Sequence, residues 1–320
     1  MKRKGLKAIA QAIRDLKIQG ASKVREKAVK AIAESVKHTE TRDVHKFKKE
    51  LKGNLLLILN ARPTEPELRT AVRIILKKAL HETESLHELK EHIYSACMNY
   101  EKERKKAMQL IALYGARIIP KNSIVLTHCH SSTVEEILSL AHKQKKLREV
   151  YCTETRPLFQ GRITAQNLAR KGIKVTLFTD SAVFSLMKKC DLFFTGADAI
   201  LSDGSIINKI GTSGIALAAK KFCVPYYAAT SSHAFDPLTF YGIEEKIEER
   251  NPSEVWDKKL KNLNIRNPAF DRTESEFIEG IITEKGVLTP ESLVQLKYKE
   301  LHLDKQKEEF LDIYKRIRKL

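Results

Sequence analysis

Between Ile124 and Thr212 the chain carries a thiol, a carboxylate, an ammonium and several glycines in short blocks. Cys129 stands in Thr127-His128-Cys129-His130-Ser131-Ser132, and Asp198 in Gly196-Ala197-Asp198. Asn208-Lys209-Ile210-Gly211-Thr212 follows shortly after. Between them lie Thr153-Glu154-Thr155-Arg156-Pro157 and Gln160-Gly161-Arg162. Such a set suits chemistry on a phosphorylated small molecule, provided the groups converge. A helix starting at Thr212 also offers its N-terminus to an anion.

Convergence requires a scaffold, and the apolar pattern supplies one. Ile124-Val125-Leu126, Val150-Tyr151-Cys152, Val175-Thr176-Leu177-Phe178, Leu192-Phe193-Phe194 and Val224-Pro225-Tyr226-Tyr227-Ala228 read as short strands. Pro225 suits a strand start. Helical patterns separate them, such as 134–145 and 164–171. Strands alternating with helices predict a parallel, doubly wound sheet. Ligands of such sheets bind beyond the carboxyl ends of the strands. Cys129, Glu154, Asp180, Asp198 and Thr230 fall at or just past those ends.

The first 120 residues read differently. Helical periodicity runs through 2–37, interrupted at Gly20, then through 44–60, 66–82 and 84–116. The expected fold class is α/β. An all-α N-terminal domain (1–120) precedes a Rossmann-like doubly wound parallel sheet (121–320). The joint falls near Ile118-Ile119-Pro120-Lys121-Asn122-Ser123. A chain of 320 residues fits two domains, and 42% apolar residues suffice for two cores. The stretch 305–320 reads as a mixed-charge helix.

The net charge is +18, and residues 1–120 hold 27 Lys/Arg against 14 Asp/Glu. The basic residues are scattered and no nucleic-acid motif accompanies them, so a solvated surface is the favoured reading over a nucleic-acid interface. The run Leu55-Leu56-Leu57-Ile58-Leu59 is too short to span a bilayer, and no signal peptide is visible. Cys97, Cys129, Cys152, Cys190 and Cys223 show no Cys-x-x-Cys spacing, so a reduced cytoplasmic protein without a zinc site is expected. All but Cys129 read as structural. Glu154 and Arg156 read as an internal ion pair, and Asp180 as the cap of the helix that follows it.

The blocks together resemble the superfamily of translation initiation factor 2B alpha/beta/delta subunits and sugar-phosphate aldose–ketose isomerases. Besides those quoted above, Ala61-Arg62-Pro63-Thr64, Asn267-Pro268-Ala269-Phe270-Asp271 and Ile281-Ile282-Thr283-Glu284-Lys285-Gly286 carry the resemblance, which covers roughly residues 5–295. The His-Cys-His-Ser and Glu-Thr-Arg-Pro wording is similar to the archaeal ribose-1,5-bisphosphate isomerase branch. The resemblance implies conversion of an aldose 1-phosphate into a ketose, with Cys129 as base and Asp198 as acid. It implies substrate contacts from Gly20, Ala21, Arg62, Ser131, Ser132, Thr133, Asn208 and Lys209. It implies a phosphorylated sugar as partner, a homodimer as the unit with a hexamer as a further assembly, and neither metal nor cofactor. A nucleotide activator stays open.

That chemistry sets demands on the two groups. Cys129 must reach the thiolate form. The helix start after it, capped by Ser131-Ser132-Thr133 with Glu136 three residues on, would lower a thiol pKa, as would a protonated His128 or His130. Asp198 must hold a proton, for which Phe193, Phe194 and Ile200 are candidate desolvating neighbours.

Three positions depart from the isomerase pattern. Gln19 precedes Gly20-Ala21 where an arginine is typical, Ala234 stands where the bisphosphate branch has lysine, and Ser132 occupies a position that is lysine in some members. Two functional classes therefore remain: a sugar 1-phosphate isomerase, and a non-catalytic initiation-factor-like subunit that binds a nucleotide or sugar phosphate and a partner protein.

Overall fold

In the computed structural model the described residues are 3–306, except 16, 19, 63, 64 and 80–84. Gln19, Pro63, Thr64 and the tail beyond 306 thus lie outside them. Five helices come first: α1 (Arg3–Arg14), α2 (Ala21–Lys37), α3 (Val44–Leu59), α4 (Pro66–Ala79) and α5 (Leu86–Ile118). There follow β1 (Ser123–Thr127), α6 (Ser132–Lys143), β2 (Leu147–Thr153), α7 (Gln160–Arg170), β3 (Val175–Phe178), α8 (Val183–Met187) and β4 (Leu192–Thr195). Then come β5 (Ala199–Ile200), β6 (Ile206–Lys209), α9 (Thr212–Lys221), β7 (Tyr226–Ala229), β8 (Phe270–Thr273), β9 (Gly280–Thr283), β10 (Gly286–Leu288) and α10 (Pro290–Glu300).

The chain divides into two compact units, one up to Lys106 and resuming at Lys305, the other Ala107–Asp304. The division falls inside α5, whereas the sequence suggests a joint after that helix, near 120. In the first unit the apolar stripes of α1 to α5 meet in one core, with Leu6, Ile13, Ile32, Phe47, Ile58, Leu68, Ile75 and Ile93 among its buried members. Spacings of three and four residues along each helix put these side chains on one face.

Within that unit a group of charges is buried. Arg25 of α2 bonds Glu67 of α4 at 3.0 Å and Glu101 of α5 at 2.5 Å, and Arg104 bonds Glu67 at 2.7 Å. All four residues are at most 9% exposed. Ions taken out of water must be paired, so this network holds three helices in one register.

The second unit is built on a seven-stranded sheet of order β10-β9-β7-β4-β1-β2-β3. All its pairings are parallel except β10 with β9. Strands β1, β2 and β4 are mostly or wholly buried, as expected where helices cover both faces. Val125, Ile137, Leu138, Val150, Leu168 and Phe194 belong to the core beneath it. The last turns of α5 enter this core through Ile111 and Ala116. Gly115 permits close approach there, since a Cβ would stand 2.6 Å from the Ile137 side chain.

A second, antiparallel sheet of order β5-β6-β8 was not legible in the sequence. β5 has two residues, and β6 ends in Asn208-Lys209, types poorly suited to strands. Their pairing partners come some 60 positions later, Asn208 opposite Asp271 and Lys209 opposite Phe270.

Candidate active site

Strand order in the large sheet reverses between β1 and β4. From β1 the chain runs outward through β2 and β3, then returns to β4 on the other side of β1. Such a switch point opens a crevice beyond the carboxyl ends of the two strands. Cys129 follows β1, and Gly196-Ala197-Asp198 follows β4. The two candidates therefore stand in the turns that border this crevice.

Cys129 sits in a sharp turn. Its φ is +66°, a left-handed conformation uncommon outside glycine. Hydrogen bonds on both its peptide groups hold it there. The Cys129 N–H donates to Thr155 Oγ1 at 2.9 Å, and its carbonyl accepts from Thr164 Oγ1 at 3.0 Å. Thr155 is left-handed too, at φ +61°. Its N–H is taken by Asp180 Oδ1 at 2.7 Å, and the Arg156 N–H by Asp180 Oδ2 at 2.7 Å. Asp180 therefore latches the turn after β2 rather than capping its own helical turn, contrary to the sequence reading. Gly161 completes the latch, because a Cβ there would fall 1.8 Å from the Thr153 carbonyl oxygen.

The expected ion pair of Glu154 with Arg156 does not form. Glu154 bonds Arg162 at 2.7 Å, while Arg156 donates to the Val255 carbonyl at 3.1 Å. Both arginines lie over the Phe159 ring, Arg162 at 3.7 Å and Arg156 at 5.2 Å. The guanidinium of Arg162 thus has a flat face and a carboxylate for neighbours.

Helix α6 begins two residues earlier than the Thr133–Glu136 spacing suggests. Ser131 alone is its N-cap, with Oγ accepting from the Val134 N–H at 3.3 Å. Ser132 and Thr133 lie in the first turn, Ser132 partly exposed and Thr133 buried. Glu136 is exposed and faces Lys171 at 3.9 Å, so it takes no part in a capping box. The Gly196 backbone packs directly against this cap. A Cβ on Gly196 would stand 3.0 Å from Ser131 Oγ and 4.0 Å from Asn208 Oδ1. Ser131 at the cap of α6, Gly196 in the turn after β4 and Asn208 of β6 thus meet at one point.

Asn208 is buried and donates from Nδ2 to Thr212 Oγ1 at 3.0 Å, which in turn donates to the Lys209 carbonyl at 2.6 Å. The Lys209 ammonium lies 4.7 Å from the centroid of the Phe270 ring. The α9 N-terminus, which the sequence suggested as an anion site, is already occupied by Asp271 of β8. Its Oδ2 accepts from the Gly211 N–H at 2.7 Å and the Ser213 N–H at 3.2 Å. Burial pushes the Asp271 carboxyl up to about 6, against the pull of these two bonds. Asp271 belongs to the quoted Asn267–Asp271 block, but only the non-local pairing of β8 with β6 discloses what it holds.

Electrostatics link the core of the site. Burial pushes the Cys129 thiol up to about 11. The Lys209 ammonium and a hydrogen bond from the His130 backbone draw it down, while Asp198 and Asp180 push it further up. Lys209, Asp198 and Asp180 thus all act on the Cys129 thiol. The resting group is a protonated thiol, not the ready thiolate that the helix start and flanking histidines suggested. His128 supplies no positive charge, because burial lowers its pKa. His130 is tied at Nδ1 to Glu135 at 3.1 Å. Asp198 is half-buried with its N–H bonded to the Ile207 carbonyl at 2.9 Å, while Phe193, Phe194 and Ile200 are completely buried.

The other expected contacts fall in the helical unit. Gly20 is the N-cap of α2, at φ +85°, and Ala21 opens that helix. Arg62 faces the buried Glu65 at 3.4 Å. Of the positions that depart from the isomerase pattern, Ala234 is fully buried in a 3-10 turn (Ser232–Ala234). Cys97, Cys152 and Cys190 are buried, as structural thiols should be, whereas Cys223 is exposed. Among the described residues no three His, Cys, Asp or Glu are grouped to hold a metal ion, and no helix is long and apolar enough to cross a membrane.

The family model described as the Initiation factor 2 subunit family matches residues 17–290. The chain is 36% identical over 288 residues to the ribose 1,5-bisphosphate isomerase of Methanocaldococcus jannaschii, covering 89% of this chain and 92% of that one. Its fold is similar to the crystal structure of 5-methylthioribose 1-phosphate isomerase from Pyrococcus horikoshii, with a TM-score of 0.79, 27% identity, and 92% and 88% of the two chains covered. It is also similar to the Pyrococcus horikoshii translation initiation factor eIF-2B, with a TM-score of 0.76, 26% identity, and 89% and 97% covered. With most of its length matched by the family model, and with relatives above 30% identity across nearly all of it, this chain belongs to the initiation factor 2 subunit family.

Proposed function

We propose that this protein is an aldose–ketose isomerase of a sugar 1-phosphate, converting ribose 1,5-bisphosphate to ribulose 1,5-bisphosphate. The carrying observation is the placement of Cys129 and Asp198 after the two strands that flank the switch point. Relatives named for ribose 1,5-bisphosphate isomerase, matched at 36% identity in two archaea, support the substrate.

The anomeric carbon of such a substrate is blocked by phosphate, so the ring must open without a free aldehyde. Asp198 gives its proton to the ring oxygen as the bond from that oxygen to C1 breaks. The Cys129 thiolate takes the C2 proton, and the electron pair forms the C1–C2 double bond of an enol phosphate. Cys129 then returns a proton to C1. Asp198 takes the proton from the C2 hydroxyl as the ketone forms. Both groups end in their starting state, so no external acid, base or redox partner is consumed.

Lys209 has two uses in this scheme. Its ammonium favours the thiolate and offers a charge to the substrate's phosphate. Ser131, Ser132 and Thr133 surround the N-terminus of α6, a natural phosphate seat beside Cys129. Asn208 holds the turn that carries Lys209. Gly20, Ala21 and Arg62 are assigned to the substrate by family resemblance. The acting form is read as a homodimer, which light scattering on the purified protein would test.

The deciding experiment is conversion of ribose 1,5-bisphosphate by the purified protein, followed by phosphorus NMR. Appearance of the ketose bisphosphate supports the assignment. No conversion, with binding of the sugar phosphate retained, would favour a regulatory subunit.

A further inference from the structure

The residue just before Cys129 has no chemical role in the isomerisation above, yet it is among the most constrained in the unit. His128 is 2% exposed, and both its ring nitrogens are bonded. Nε2 lies 2.9 Å from the Ile210 carbonyl oxygen, and Nδ1 lies 2.6 Å from Thr153 Oγ1. A carbonyl can only accept, so Nε2 must carry the proton. In the neutral ring Nδ1 is then an acceptor, and the Thr153 hydroxyl donates to it. Burial disfavours the imidazolium, which keeps this neutral tautomer.

What the ring joins is the point. His128 continues β1 into the Cys129 turn, and Ile210 lies between Lys209 and Gly211 in the turn that enters α9. Gly211 closes against the ring, since a Cβ there would stand 3.3 Å from Nε2, and its φ of +101° suits only glycine. We propose that His128 is a positioning residue, whose Nε2–H clamps the Cys129 turn to the Lys209–Gly211 turn and so fixes the distance between thiol and ammonium. The proposal rests on the isomerase reading for its catalytic consequence, but not for its geometry.

A ring that merely filled space would be replaced equally well by any amide of similar size. The clamp makes a sharper demand. The amide nitrogen of glutamine reaches the Nε2 position, whereas that of asparagine reaches only Nδ1. His128→Gln should therefore keep kcat/KM for ribose 1,5-bisphosphate within about fivefold of the parent, while His128→Asn should lose roughly 30-fold or more, with kcat reduced and KM raised. Equal activity of the two variants would overturn the clamp.

Two further measurements do not depend on turnover. Nitrogen NMR of the parent, with the His128 signal identified by its loss in His128→Gln, should show the Nε2–H tautomer at pH 7.5. An Nδ1–H or doubly protonated ring would overturn the proposal. The apparent pKa of Cys129, from the pH dependence of its iodoacetamide alkylation located by peptide mass spectrometry, should rise by about half a unit or more in His128→Asn and stay put in His128→Gln. The charged groups acting on that thiol are Lys209, Asp198 and Asp180, and only the first would retreat when the clamp opens. If the parent fails to isomerise the sugar phosphate but these two measurements hold, the function is wrong and the clamp stands. Unchanged alkylation in His128→Asn would mean that the ring does not set the thiol-to-ammonium distance.

Discussion

Proton transfer concentrates on two side chains, so the sharpest expectations concern them. Cys129→Ser is near-isosteric but far less acidic. It should remove turnover while thermal unfolding stays close to the parent's. Retained activity would show that the thiol is not the base. Asp198→Asn keeps the shape and loses the exchangeable proton, and turnover should fall by about 100-fold or more. An unchanged rate would leave Asp198 a turn former. The pH dependence follows from burial of the thiol, which pushes it up to about 11. The thiolate is then a minor species at neutrality, and its fraction grows about tenfold per pH unit below that value. Accordingly kcat/KM should rise from pH 7 to pH 9. A flat profile over that range would mean that the thiolate is already formed or that another group is the base.

At the scale of elements, the site depends on how closely the cap of α6, the turn after β4 and the end of β6 approach. Gly196 lets the turn after β4 rest on the cap of α6. Gly196→Ala would place a Cβ 3.0 Å from Ser131 Oγ and force the cap or the Asp198 loop to shift. A displacement near 1 Å costs up to about 100-fold in rate when orientation is critical, so kcat should fall more than global stability does. Parent-like kcat would show that the contact has slack.

Asp271 gives a separate test at the α9 N-terminus. Its folded pKa of about 6 lies above the ordinary 3.8 of an aspartate, so its protonated form is the one that the fold favours. The stability it contributes is complete below 3.8 and is lost as pH rises through 6. Asparagine does not titrate and can still accept from Gly211 and Ser213. The melting temperature of Asp271→Asn relative to the parent should therefore increase between pH 4 and pH 7. A constant difference would mean that the carboxyl is not desolvated.

On the scale of the whole molecule, charge is the dominant property. A net charge of +18 surrounds the protein with a positive potential, and the proposed substrate is a doubly phosphorylated anion. Screening shortens to about 3 Å at 1 M salt from about 10 Å at 0.1 M. KM for ribose 1,5-bisphosphate should rise with sodium chloride while kcat changes little. A KM independent of salt would show that only short-range contacts recruit the substrate.

Much of this protein was legible before any coordinates. Apolar runs of three to five residues separated by helical patterns marked β1 to β4 and β7, because their pattern is local. Past each strand end, the residue that could do chemistry was visible as a departure from that pattern: Cys129 after β1, Asp198 after β4. Helical periodicity likewise marked α1 to α5.

Only the tertiary structure decided what depends on distant partners. The β5-β6-β8 sheet joins Asn208 to Asp271 across some 60 positions, and no local pattern records that pairing. The capture of Asp180 by the Thr155 and Arg156 amides, the pairing of Glu154 with Arg162 rather than Arg156, and the neutral His128 all arise from packing. The protonation state of Cys129 belongs to the same class. A helix start beside a thiol is written in the sequence, but the burial that outweighs it exists only once the chain has folded around the sulfur.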